Sequence, residues 1–223
     1  MGVSATGSDS GLISPATVAP ASSHPARLGV LASGNGSNFE AIMAAIAAGQ
    51  LNATVTVVIY NRPQAGVVAR ANGWNIPTQL LDHRQFESRA DLDDAIVDAL
   101  HHHGCEWVIM AGWMRRVTQR LIDAFPRKIL NIHPSLLPSF PGLHAVDQAL
   151  DAGVKIAGCT VHYVELEVDS GPIIMQAAVP VLETDTAGSL QQRIQKYEHQ
   201  IYPAAIALAT QQSRQLSADS ARP

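Results

Sequence analysis

The amino-acid sequence predicts an α/β fold with a doubly wound, mainly parallel sheet, a C-terminal antiparallel hairpin and a long final helix. Three observations carry this. Short β-branched runs alternate with amphipathic helical stretches from Arg27 to about residue 153. "GCTVHYVE" (158–165) and "PIIMQAAVPV" (172–181) then follow each other across only "LEVDSG", a link that suits antiparallel strands alone. The last periodic stretch runs from about Thr186 to Gln211, with Pro203 inside it as a predicted kink. Such an arrangement is Rossmann-like.

The 223 residues are 47% hydrophobic, which is enough for one sizeable core and predicts a single domain. Residues 1–26 are rich in Ser, Ala, Gly and Pro without a helical or strand period, and read as a disordered leader. They lack the basic start and apolar block of a secretory signal. The catalytic domain is expected over 27–212, and 213–223 as a flexible tail.

The elements follow in order. "RLGVLA" (27–32) is a strand, and "NFEAIMAAIAAGQ" (38–50) is a helix with Gly49 placed to end it. Its alanines 41, 44, 45, 47 and 48 are expected to pack against the sheet. "ATVTVVIY" (53–60) is a second strand, "QAGVVARANGW" a helix and "PTQLL" a short strand. "SRADLDDAIVDALHHHG" is an amphipathic helix closed by Gly104. "EWVIMA" and "KILNI" are buried strands, and "LHAVDQALDAG" is a helix.

Charged residues make up 15% of the chain and the formal net charge is -4, which argues against nucleic acid as the main partner. No apolar run approaches the ~20 residues that span a bilayer. Cys105 and Cys159 form no CxxC pair, so a reduced, cytoplasmic protein with two cysteines packed as small hydrophobes is expected. "HHH" (101–103) reads as a solvated helix end, because neighbouring histidines on a helix point in different directions, and no metal is expected.

The turn "SGNGSN" (33–38) lies between the first strand and first helix, where open α/β sheets bind ligands. Gly34 and Gly36 permit close backbone approach. Ser37 and Asn38 are good N-cap residues, and free N–H groups there favour an anion. Position 39 is Phe, not the third glycine of a dinucleotide fingerprint, and no Lys follows as in a Walker loop. A single phosphomonoester fits this turn better than NAD or ATP.

"LNIHPSLLPSFPG" (130–142) sets Asn131 at the carboxyl end of a strand and His133 two residues on, so both side chains can share a side. The amide offers N–H to a developing oxyanion, and the imidazole can donate or shuttle a proton near neutral pH. Asp169, in the turn of the late hairpin with Gly171 permitting a sharp bend, can reach the same mouth and orient the imidazole. His144 is a candidate for the border of the site. His162 reads equally as core packing or as site lining.

The segments "SGNGSN", "AGWMRRV", "LNIHPSLLPSFPGLHA", "GCTVHYVELEVDSGPIIMQ" and "EHQIYP" occur in this order, over roughly residues 27 to 205. They closely resemble the phosphoribosylglycinamide formyltransferases, folate-dependent enzymes of purine synthesis. The resemblance implies Asn131, His133 and Asp169 as the catalytic set. It implies Gly36, Ser37, Asn38 and Glu198 for glycinamide ribonucleotide. For folate it implies Arg89, Met114, Arg115, Arg116 and Val117, with Asn131 and the loop Glu165, Leu166, Glu167, Val168 and Asp169. Ser139 stands where many members carry Lys, which bears on folate affinity.

The implied reaction is metal-free formyl transfer from 10-formyltetrahydrofolate to the amine of 5-phosphoribosylglycinamide. The partners implied are small molecules, with no nucleic acid or membrane, in a monomer or weak homodimer. The alternatives are formyltetrahydrofolate deformylase, which carries a regulatory domain before the catalytic one, and another formyl-folate transferase such as the methionyl-tRNA enzyme, which needs a further C-terminal domain. A non-catalytic nucleotide-binding module is disfavoured by the intact Asn131, His133 and Asp169.

Overall fold

The computed structural model describes residues 12–15 and 24–220. One eight-stranded sheet has the order β1-β8-β7-β6-β5-β2-β3-β4. Its elements are β1 (Leu12–Ser14), β2 (Ala26–Ala32), α1 (Ser37–Ala47), β3 (Ala53–Tyr60), α2 (Val67–Gly73), β4 (Thr78–Leu80), α3 (Arg89–His102), β5 (Trp107–Met110), α4 (Gln119–Ala124), β6 (Ile129–His133), α5 (Ala145–Asp151), β7 (Ile156–Tyr163), β8 (Ile173–Pro180) and α6 (Ala187–Ser220). The pairs joining β4, β3, β2, β5 and β6 are parallel, and β7, β8 and β1 continue the sheet antiparallel. The predicted architecture is therefore present, with one additional edge strand.

The two sheet faces bury separate cores. Leu28, Val30, Phe39, Ile42, Leu130, Ile132, Val161 and Tyr202 pack beneath α1 and α6. Leu31, Val57, Ile59, Ile96, Leu100, Leu121 and Ile129 pack beneath α3 and α4. Each fully buried large side chain contributes ~1.5–3 kcal/mol relative to exposure. Tyr202, 0% exposed, sets its hydroxyl 3.2 Å from the carbonyl oxygen of Met110 and 3.1 Å from that of Leu130, which locks α6 beneath the two strands that lead into the site.

Four expectations are corrected. Within the expected leader, Leu12–Ser14 is a strand paired with Gln176–Ala178, because β8 would otherwise leave that backbone unpaired. The rest of the leader up to residue 23, apart from Pro15, lies outside the described residues, and Ala26 already belongs to β2. The expected tail is helical to Ser220, since no Gly or Pro follows Pro203 until Pro223. Residues 221–223 lie outside the described residues. Of the alanines expected to pack, Ala45 is buried, whereas Ala44 and Ala47 of α1 and Ala48 at its end are exposed, and Phe39, Ile42 and Met43 fill the rest of the buried face. Finally, the N-cap of α1 is Gly36 with φ +73°, not Ser37 or Asn38, which are its first two helical residues.

Candidate active site

The site is built where the sheet reverses its winding. From β2 the chain passes to β3 on one side, while β5 and β6 lie on the other, so the carboxyl ends of β2, β5 and β6 open a shared mouth. Ser33, at the end of β2, donates its N–H to Gly112 (3.0 Å), and its hydroxyl accepts from the Met114 N–H (2.9 Å). These two bonds tie the glycine-rich turn to the loop after β5.

Strand periodicity selects the polar side chains. On β6, Leu130 and Ile132 enter the α1/α6 core, so Asn131 and His133 face the other side. On β7, Cys159 and Val161 enter the same core, which leaves Thr160 opposite His133 and His162 opposite Asn131. A cleft of about 570 Å³ forms against these residues. It is lined by Met114, Arg115, Arg116, Val117, Asn131, His133, His144, His162 and the stretch Glu165–Asp169.

Asp169 adopts φ +54° in the β7–β8 connection, and a β-carbon at Gly171 would collide with the Tyr163 carbonyl oxygen. The sharp bend therefore needs glycine, and it delivers the carboxylate. Asp169 Oδ2 accepts the Gly142 N–H (2.8 Å) and stands 3.3 Å from His133 Nδ1, while Oδ1 stands 3.6 Å from His162 Nε2. Burial pushes the Asp169 carboxyl up. The His162 side chain, the Gly142 N–H and the neighbouring His133 pull it down by more, so it lies below the ordinary carboxylate range.

His133 is buried and donates from Nε2 to the carbonyl oxygen of Phe140 at 2.9 Å. Both ring nitrogens thus face acceptors, an arrangement that a ring carrying N–H on both satisfies. The loop that presents Phe140 is pinned from the sheet. Thr160 Oγ1 donates to the Ser135 carbonyl (2.7 Å) and accepts from the Leu137 N–H (3.0 Å) and Gln176 Nε2 (3.0 Å).

At the glycine-rich turn, Asn38 Nδ2 donates to Glu198 Oε2 at 3.0 Å, and Gln195 Nε2 donates to Ser37 Oγ at 2.9 Å. Glu198 is buried, and desolvation pushes its carboxyl above the ordinary range against the opposing Asn38 amide. Asn38 Oδ1 is buried with no hydrogen-bond partner among the described residues. Asp93 of α3, also pushed up by burial, accepts the Thr118 N–H at 2.5 Å and anchors the end of the loop after β5.

The structure thus brings together Asn131, His133 and Asp169, and sets Met114–Val117 and Glu165–Val168 around them. Gly36, Ser37, Asn38 and Glu198 gather at the neighbouring turn. Arg89 does not join them: it opens α3, exposed and outside the cleft lining. His144 lines the cleft rim, and His162 belongs to the site. Thr160, Gln176, Gln195 and Ser33 escaped the reading of the sequence. Two polar residues at period two on the buried strand "GCTVHYVE" were the available signal for Thr160 and His162. Cys105 and Cys159 are buried free thiols that burial pushes up. Among the described residues no cluster of three or more His, Cys, Asp or Glu is arranged to hold a metal ion. Among them, too, no helix is long and apolar enough to cross a membrane.

A one-layer sheet with this mouth of amide, imidazole and carboxylate suits a group transferase, and the chain belongs to the formyl transferase family, whose pattern matches residues 26–206. Among its relatives is phosphoribosylglycinamide formyltransferase of Bacillus subtilis, 45% identical over 180 residues, covering 81% of this chain and 92% of that protein. A human trifunctional purine biosynthetic protein, adenosine-3, is 40% identical over 191 residues, which span 86% of this chain and 19% of that longer protein. The crystal structure of glycinamide ribonucleotide transformylase 1 from Symbiobacterium toebii superposes with a TM-score of 0.83 at 48% identity, over 85% of this chain and 90% of that one.

Proposed function

We propose that this chain transfers the formyl group of 10-formyltetrahydrofolate to the amine of 5-phosphoribosylglycinamide, a step of purine synthesis. The observation that carries the reading is the juxtaposition of Asn131, His133 and Asp169 in one cleft, tied through Ser33 to a turn suited to a phosphate. The relatives' names agree with it.

In this reading Met114–Val117 and Glu165–Val168 hold the folate, and Gly36, Ser37, Asn38 and Glu198 hold the ribonucleotide. The substrate amine attacks the formyl carbon, and the carbonyl electron pair moves onto oxygen. Asn131 donates to that oxyanion, and protonated His133 stabilises it by its charge. His133 Nε2 is engaged by the Phe140 carbonyl and Nδ1 faces Asp169 across 3.3 Å, which holds the ring in place beside the reacting carbon. The proton lost by the attacking nitrogen passes by way of Asp169 to the folate nitrogen. The carbon–nitrogen bond to folate then breaks, releasing tetrahydrofolate and formylglycinamide ribonucleotide. The carboxyl of Asp169, lowered by its partners, is ionised at neutral pH as this role requires.

Cytoplasmic location and a monomer or weak homodimer accompany the proposal. Measuring tetrahydrofolate release with and without glycinamide ribonucleotide tests it. Release that depends on the ribonucleotide is expected. Equal release without it would establish a deformylase instead.

A further inference from the structure

His162 has no role in the steps above, yet it is 2% exposed and sits directly across the β6–β7 ladder from Asn131. Its Nδ1 lies 2.8 Å from the carbonyl oxygen of Tyr163. A carbonyl oxygen only accepts, so Nδ1 carries the proton. In the neutral ring Nε2 is then a bare lone pair that only accepts. The group it meets, at 3.2 Å, is Asn131 Nδ2, which only donates. In the neutral ring the two bonds are mutually consistent and assign the imidazole tautomer and the amide orientation together, with Asp169 Oδ1, 3.6 Å from the same Nε2, beyond hydrogen-bonding distance.

We propose that His162 is a positioning residue for formyl transfer. By accepting one hydrogen of the Asn131 amide it holds that amide in register, leaving the second hydrogen on the same nitrogen for the oxyanion. An inverted amide would press Oδ1 against the bare Nε2, so the wrong orientation is penalised by lone-pair repulsion. The titratable groups closest to the ring are Asp169, from the β7–β8 connection, and His133, from β6. Ile173, opposite on β8, brings no charge. This inference rests on the catalytic role proposed for Asn131.

Nitrogen-15 NMR of the unaltered protein at about pH 8, where an ordinary imidazole is neutral, reads the tautomer directly. A protonated Nδ1 and bare Nε2 at His162 are expected, and a protonated Nε2 overturns the proposal. His162→Phe removes the acceptor and should lower kcat on the order of 10²-fold, the scale expected of a misplaced catalytic group, with KM for glycinamide ribonucleotide unchanged. His162→Gln supplies an accepting oxygen and should restore kcat to within about 10-fold of the parent. A Gln variant no better than Phe overturns the proposal. A parent protein without formyl transfer sinks the proposed activity, while the tautomer still decides whether His162 holds the Asn131 amide.

Discussion

The backbone N–H of Gly142 donates to Asp169 Oδ2 at 2.8 Å, the same oxygen that stands 3.3 Å from His133 Nδ1. The loop that follows His133 thus returns to hold the carboxylate against the imidazole. Asp169→Asn keeps the shape and removes the charge. Turnover should fall on the order of 10²-fold or more, in the range for losing positioned acid and oxyanion support. Calorimetric titration should find glycinamide ribonucleotide binding little changed, since its phosphate is held at the turn after β2.

The same carboxylate gives a pH prediction. Its folded pKa lies below the unfolded one, so its stabilisation is full above the unfolded value of about 3.9 and is lost as pH falls through the folded value. The melting-temperature gap between the parent and Asp169→Asn should be present at about pH 5 and close as the pH falls below about 4. A gap that stays fully open at strongly acid pH would contradict the assignment.

Thr160→Val is nearly isosteric and deletes the hydroxyl that pins the loop 134–142. It leaves the Leu137 N–H and Ser135 carbonyl without their partner in a fully buried place, which costs ~1–3 kcal/mol for each unsatisfied group. Denaturant unfolding should record that loss. Turnover should fall as well, because the loop carries the Phe140 carbonyl that engages His133.

Glu198 behaves in the opposite sense to Asp169. Burial raises its folded pKa, so its favourable contribution is present below the unfolded pKa and is lost as pH rises through the folded value. Glu198→Gln keeps an acceptor for Asn38 and cannot ionise. The variant's melting temperature relative to the parent should rise as pH increases, while it binds glycinamide ribonucleotide on the order of 10-fold more weakly. A relative melting temperature that falls as pH increases would show that the ionised carboxylate is stabilised by groups other than the Asn38 amide.

Gly36 is where a simple substitution misleads. Its φ of +73° and the 2.6–2.9 Å approach of a built β-carbon to Val67 mean that any side chain there strains α2 against the turn. Gly36→Ala should lose ~1–3 kcal/mol of stability even without ligand. Pairing it with Val67→Ala should recover part of that loss in thermal melts, whereas the positive φ leaves the remainder.

Much of this was legible in the chain. The strand at 53–60 has the predicted bounds because β-branched residues fill it between turn formers. The reach of Asp169 followed from a short connection containing Gly171. α4 was missed because six residues carry too little periodicity, and the Thr118 hydroxyl makes no capping bond. β1 was missed because three residues gain their order from β8 rather than from their own composition. Thr160 and Gln176 were illegible for another reason: their partners are backbone groups of a distant loop, and one-dimensional pattern does not reveal which carbonyl a hydroxyl will meet.

Both outermost strands of the sheet, β1 and β4, are only three residues long. An extended, flat border is what lets one molecule template the next into a fibril. Here each border presents too few consecutive free amides to recruit a neighbour's backbone. The hydrophobic interior strands, which would be the hazardous ones, are sealed between partners. Folding errors that strip away Leu12–Ser14 would therefore be expected to reveal themselves first as self-association through β8, before any loss of the cleft.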